Sequence, residues 1–154
     1  MTPAAPCHIR PATPADLEPL REIYNDAVLH TTASYDYEPR SAAAQATWFA
    51  TKQGAGHPVL VAADGAGTVT GFASYGAFRN WAGYRFTVEH SVYVHGAFRR
   101  RGIASILVEH LLRHAGDRGL HLMVGAIDGA NAGSIELHRR LGFEPAGVLK
   151  EAGY

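Results

Sequence analysis

The run His95-Gly96-Ala97-Phe98-Arg99-Arg100-Arg101-Gly102-Ile103-Ala104 decides how this chain is read. It follows an apolar strand-like segment, Ser91-Val92-Tyr93-Val94. It opens a stretch with Ile103, Ile106, Leu107, His110, Leu111 and His114 at three- and four-residue spacing, the period of an amphipathic helix. A strand, a basic turn and a helix start aim several free backbone N–H groups at one spot, and the helix dipole adds positive potential there. Gly102 and Ala104 keep side-chain bulk away from those amides. Arg99, Arg100 and Arg101 add charge-assisted hydrogen bonds worth roughly 1.5–3 kcal/mol each when partly desolvated. The turn is read as the seat of a phosphate-bearing ligand.

Two familiar phosphate loops fail on residues. A Walker A loop ends Gly-Lys-Ser/Thr, whereas Ile103 and Ala104 follow Gly102. A dinucleotide fingerprint needs three spaced glycines, which this turn lacks. The glycines of Gly65-Ala66-Gly67-Thr68-Val69-Thr70-Gly71 join two β-rich runs and read as a hairpin turn.

The 154 residues suit a single domain, long enough to bury about 68–70% of the unfolded surface. With 47% hydrophobic and 18% charged residues the chain reads as globular, and 14 basic against 14 acidic residues leave no global field for nucleic acid or a membrane surface. Cys7 is the single cysteine, which excludes a disulfide framework and a cysteine metal site and suits a reducing cytoplasm. Apolar runs stay below the ~18 residues of a membrane span, and the N-terminus lacks a signal-peptide core.

The pattern predicts a strand at 8–10 and a helix entered through Thr13-Pro14-Ala15-Asp16, with the stripe Leu17, Leu20, Ile23, Tyr24, Ala27 and Val28. A loop over 30–40 carries Tyr35 and Tyr37, a helix runs from Ser41 to Gly54, and strands follow at 58–63 and 68–77. A loop at 79–84 leads to a long strand at 85–94. A helix at 102–118, a strand at 120–127, a helix at 132–141 and a strand near 143–148 complete the order. The late strand–helix–strand order predicts parallel neighbours and the middle hairpin antiparallel ones, giving an α+β (mixed α/β) fold with a mixed sheet flanked by helices.

Alternation along 85–94 puts Phe86, Val88, His90, Val92 and Val94 on one face, and Thr87, Glu89, Ser91 and Tyr93 on the other. Glu89 is an acid within a β-rich strand, which either a solvated face or a functional pocket must justify. Asn131 stands at the N-cap of the last helix with Ser134 three residues on. His110 and His114 are four apart on one helix, but Leu111 occupies the place where a zinc protease has its glutamate, so no metal site is expected.

Arg99-x-x-Gly102-x-Ala104 after a Val-x-Val strand resembles the pyrophosphate loop of the GNAT acetyltransferase superfamily. Asn131-Ala132-Gly133-Ser134-Ile135-Glu136-Leu137-His138-Arg139-Arg140-Leu141-Gly142-Phe143-Glu144 is similar to that superfamily's second coenzyme-contacting helix and stands at its spacing. The resemblance covers about residues 8–153. Ile23-Tyr24-Asn25, Val88-Glu89-His90-Ser91-Val92-Tyr93-Val94 and Leu137-His138 direct it toward the phosphinothricin and methionine sulfoximine or sulfone N-acetyltransferases.

The resemblance implies a mostly antiparallel sheet with splayed central strands, one N-acetyltransferase domain over 1–154, and acetyl-CoA as co-substrate. Coenzyme contacts are expected from Ser91, Val92, Tyr93, Val94, Arg99, Arg100, Arg101, Gly102, Ile103, Ala104, Asn131 and Ser134. Glu89 is expected as the general base, since acetyl transfer needs a neutral amine lone pair. His138 is expected to protonate the departing thiolate or relay the amine's proton, or else to pack as an ordinary helix residue. Phe78, Arg79, Asn80, Val88, Glu89 and His90 are expected to bind the acceptor, with the Arg79 fork on its carboxylate.

The implied acceptor is a small amino acid with a tetrahedral, oxygen-rich side-chain group, and the implied setting is a cytoplasmic detoxifying homodimer. Similar chains continue past Tyr154 with a further strand. Its absence is expected to leave a sheet edge that a partner subunit or a longer chain covers. A polyamine, an aminoglycoside or a protein N-terminus is the alternative acceptor, and a non-catalytic acyl-CoA sensor the alternative function.

Overall fold

The structure, a computed structural model, describes residues 6–154. Five strands lie in the order of the chain: β1 (His8–Pro11), β2 (Val59–Ala63), β3 (Val69–Ala77), β4 (Thr87–Val94) and β5 (Leu122–Gly125). The first four pair antiparallel, and β4 with β5 parallel. Four helices accompany them: α1 (Leu17–His30), α2 (Ala42–Gly54), α3 (Ile103–Asp117) and α4 (Ala132–Arg140).

The glycine-rich segment is the β2–β3 hairpin. Asp64 Oδ1 accepts from the N–H groups of Ala66 and Thr68 at 2.9 Å, and Gly67 supplies the positive φ of +85° that the turn requires. β2 is buried throughout because helices cover both faces of the sheet. On one face Leu20, Ile23 and Tyr24 of α1 and Phe49 of α2 pack on Val59, Val61 and Phe72. On the other, Leu107, Leu111 and Ala115 of α3 pack on Leu60, Ala62, Ala73, Tyr75 and Val88.

The strand expected at 85–94 is shorter than its apolar run. Ala82–Tyr84 form a single 3-10 turn, and Phe86 is 48% exposed, so β4 begins at Thr87. β5 spans four residues rather than eight, since pairing with β4 runs from Thr87↔Leu122 to His90↔Gly125. The strand expected near 143–148 does not form. Phe143 donates its backbone N–H to the His138 carbonyl and lays its ring edge on His90 and His138. Pro145, which has no amide hydrogen, follows, and Val148 and Leu149 are 82% and 85% exposed.

The chain enters α1 through a charged lock. Asp16, 5% exposed, accepts from Arg10 at 2.7 and 2.9 Å and from the Thr13 N–H at 2.7 Å. The Arg10 hydrogen bond, reinforced by the Thr13 amide, holds the Asp16 carboxyl below the usual carboxylate range. A depressed carboxylate stabilises the fold above the unfolded value, near ~3.9, and loses that contribution as pH falls through the folded one. Asp16→Asn is expected to cost about 1.5–3 kcal/mol at pH 7. In urea titrations the wild type should weaken more than the variant on acidification below about pH 4.

Candidate active site

β4 presents different chemistry to the two layers. Val88, Val92 and Val94 pack toward α3, while Tyr93 packs toward α1, with its ring centroid 5.3 Å from those of Tyr24 and Phe72. The β3–β4 ladder runs without a register shift from Gly71↔Val94 to Ala77↔Val88, so Glu89 and Ser91 share Tyr93's face. Burial pushes the Tyr93 phenol up to about 12, which keeps it neutral.

Glu89 is half-buried, and among the described residues no hydrogen bond or ion pair engages its carboxylate. Its register partner on β3 is Gly76. A Cβ at Gly76 would stand 3.1 Å from the Lys52 Nζ, so the missing side chain makes room for that ammonium to reach the Tyr75 carbonyl at 3.0 Å. Burial lowers the Lys52 pKa, and the Arg40 charge lowers it further. Lys52 escaped the sequence reading because a lysine in a helix's last turn is ordinarily a solvated residue.

On the opposite face His90 meets His138 of α4. Their Nε2 atoms are 3.0 Å apart, the rings are stacked at 16°, and both side chains are buried, at 8% and 5% exposure. His138 Nδ1 lies 2.6 Å from the Ser134 carbonyl oxygen. Burial first, and the charge of His138 second, together lower the His90 pKa to about 4. Glu89 and His138 therefore lie on opposite sides of the sheet, linked through the strand that carries Glu89.

The basic turn has the shape its sequence implied. Gly102 caps α3 in the left-handed region at φ +78°, where a Cβ would meet nothing within 4 Å. Among the described residues no side chain caps α3, so its first amides remain available. Arg100 also takes a positive φ, +60°. The Arg99 guanidinium is 3.5 Å from Asp26 of α1, and Arg101 lies over the Phe98 ring. Ile103 is buried as the first helical residue, with Ala104 partly exposed behind it. Beyond His90↔Gly125 the β5-side edge of Ser91, Val92, Tyr93 and Val94 has no strand partner among the described residues. The free edge and the open turn together fit an elongated thioester that ends in a diphosphate. Asn131 caps α4, its Oδ1 accepting from the Ser134 N–H at 3.1 Å, as the spacing predicted.

The residues expected to hold the acceptor divide between the two faces. Glu89 looks toward α1 and α2, and His90 toward α4. Phe78 and Asn80 flank Arg79, whose guanidinium lies over the Phe78 ring at 4.3 Å and donates to the Phe78 carbonyl at 2.7 Å. Arg79 lines a cavity of about 220 Å³ with Arg85, Arg118, His57 and Val88. Burial and the charges of Lys52 and Arg118 lower the His57 pKa, the mark of a positive local field. Among the described residues no group of His, Cys, Asp and Glu is arranged to hold a metal ion.

The family model described as Acetyltransferase (GNAT) family matches residues 17–143. The chain belongs to the GNAT acetyltransferase family. It is 49% identical over 145 residues to the L-methionine sulfoximine/L-methionine sulfone acetyltransferase of Pseudomonas aeruginosa, covering 94% of this chain and 84% of that protein. A phosphinothricin acetyltransferase of Sinorhizobium meliloti, solved in complex with acetyl-CoA, superposes with a TM-score of 0.93 at 41% identity, over 96% of this chain and 80% of that one. A protein of Brucella melitensis described as a ribosomal-protein-alanine N-acetyltransferase gives 0.93 at 42%, over 96% and 90%.

In this GNAT chain the positive φ of Gly102 restricts residue choice at the turn. Gly102→Val is expected to lose roughly 1–2 kcal/mol, since a β-branched residue is strained at positive φ. It should also raise the KM for acetyl-CoA about tenfold or more by crowding the α3 amides, read from steady-state kinetics beside a melting curve.

Proposed function

We propose that the protein transfers the acetyl group of acetyl-CoA to the α-amine of a small amino acid with a tetrahedral, oxygen-rich side-chain group, of the methionine sulfoximine, methionine sulfone or phosphinothricin type. The observation that carries this reading is the half-buried, unpaired Glu89 one residue from the point where β4 leaves β5, upstream of the Arg99–Ala104 turn. The turn and the α3 amides hold the diphosphate, and the free edge of Ser91–Val94 hydrogen-bonds the amide arm as a further strand would. That edge also offers N–H groups to the oxyanion. Asn131 and Ser134, at the start of α4, border the same opening.

Glu89 takes the proton that an ammonium must lose before nitrogen can attack a thioester. The relatives' names support the acceptor class; the arginine-lined cavity at the end of β3, which Glu89 does not line, adds positive charge beside the start of β4 that favours a carboxylate over polycations such as polyamines and aminoglycosides. An N-terminal peptide is the second reading, favoured by the similarity to the Brucella protein. A silent acyl-CoA sensor has no use for an unpaired Glu89.

In this reading the protein is a cytoplasmic, detoxifying homodimer. The exposed aromatic cluster Trp81, Tyr84 and Phe86 is a surface suited to a second copy.

Glu89→Gln is expected to lower kcat about 100-fold or more, with the acetyl-CoA dissociation constant changed less than about threefold by calorimetry. Near-wild-type turnover would remove the base role. Incubation with acetyl-CoA, a thiol reagent and a panel of methionine sulfone, phosphinothricin, spermidine and an alanine-initiated peptide assigns the acceptor. Arg79→Ala should raise KM about tenfold for the amino acids but not for acetyl-CoA.

A further inference from the structure

The His90–His138 pair has a proton arrangement fixed by its surroundings. The Ser134 carbonyl can only accept, so His138 Nδ1, 2.6 Å away, carries a hydrogen. In the neutral ring His138 Nε2 is then a bare lone pair, and His90 Nε2, 3.0 Å from it, must donate. His90 Nδ1 is bare in turn, buried and without a hydrogen-bond partner among the described residues. Both nitrogens of His138 are thus engaged inside the protein, and the free nitrogen of the pair belongs to His90.

We propose that His90 is a positioning residue for His138: its Nε2–H fixes neutral His138 in the Nδ1–H tautomer, and its own Nδ1 is the atom at which the pair takes up one proton. The uptake balances. A proton bonds to His90 Nδ1, the Nε2–H bond of His90 breaks, and that hydrogen bonds to His138 Nε2. His90 ends neutral and His138 ends as the imidazolium. The Ser134 carbonyl accepts from His138 Nδ1–H and so supports the charge there, whereas among the described residues no acceptor faces His90 Nδ1.

Gly125 completes the device, because a Cβ there would stand 3.1 Å from His90 Nε2 and 3.3 Å from His138 Cδ2. The other groups nearby are committed elsewhere. Tyr75, opposite His90 on β3, turns its phenol to His114 Nδ1 of α3 at 2.8 Å, and Phe143 offers an apolar ring edge. On α4 Glu136 is paired with Arg139 and Arg140 on the exposed side.

The inference rests on the acetyl-transfer reading for its purpose. An ammonium that becomes an amide nitrogen gives up two protons, and the departing thiolate takes one. Glu89 keeps one of the two, and the histidine pair on the other face holds the second only until the thiolate takes it back by the reverse path through His90 Nδ1.

Nitrogen-15 spectra of histidine-labelled, ligand-free protein are expected to show His138 with hydrogen on Nδ1 and His90 with hydrogen on Nε2; the opposite tautomer at His138 overturns the proposal. His90→Met keeps the volume and removes the donor, and should lower kcat about tenfold or more with KM for acetyl-CoA changed less than about threefold. His90→Gln, which places an N–H near the Nε2 position, should recover most of the loss. Wild-type kcat in the methionine variant, or a glutamine variant as slow as it, overturns the positioning role. The wild-type spectrum decides the tautomers even where a variant fails to fold. A wild type that shows them but acetylates no amine overturns the acetyl-transfer reading and the proton uptake, and leaves the hydrogen bond between the rings standing.

Discussion

The β4–β5 ladder stops at His90↔Gly125, and the rest of the site depends on that stop. Backbone amides without partners demand them, and a strand edge opened in the middle of a sheet is a template for whatever extended polar group can lie along it. In this chain the opened edge points at the start of α3, whose first amides are also free. One end of a long ligand is thereby addressed by a strand and the other by a helix dipole. At the fork Glu89 and His90 are neighbours in sequence and face opposite layers.

The net charge of zero hides a strongly divided surface. Positive charge gathers in two places, the Arg99–Arg101 turn and the Arg79, Arg85 and Arg118 cavity, while Asp26 holds Arg99 from the side of α1. An exposed pair of this kind contributes about 0.2–1 kcal/mol, so Asp26 positions the guanidinium without competing seriously with a diphosphate. Inside, the protein avoids charge. The Tyr93 phenol is raised to about 12, His90 is lowered to about 4, and the Lys52 ammonium is weakened by the same cause, desolvation. Asp16 is the one buried carboxylate among the described residues, and it carries its own arginine.

What the sequence disclosed is what local rules govern. The hairpin glycines, the Asn131 cap, the Gly102 turn and the period of α1 and α3 are decided within a few residues, and each was legible. The strand alternation that separated Glu89 from His90 was legible for the same reason. The strand near 143–148 was misread because an apolar Phe143 and Val148 suggest a strand only when a partner edge is available, and here Phe143 serves the histidine pair instead. The contact between His90 and His138 spans 48 residues, beyond any local rule. Its trace in the sequence is Gly125, a residue that weakens a strand and is explained once two imidazoles stack above it.

A single strand can serve two opposed chemistries only if its register cannot move. A slip of one residue would exchange the faces, putting Glu89 among the core side chains of α3 and His90 against α1. The register is held from both ends. At Gly71 a Cβ would lie 2.9 Å from the Tyr93 carbonyl and 3.3 Å from Ile103 and Leu107, so β3, β4 and α3 meet there as closely as glycine permits. At Gly76 the absent side chain is replaced by Lys52, whose ammonium ties α2 to the Tyr75 carbonyl. These two glycines, five residues apart on the neighbouring strand, bracket the segment that carries Glu89 and His90. The apolar packing of Val88 and Val92 on α3, and of Tyr93 on Tyr24 and Phe72, then fixes which face is which. The acid and the histidine keep their sides because the residues around them have no second way to pack.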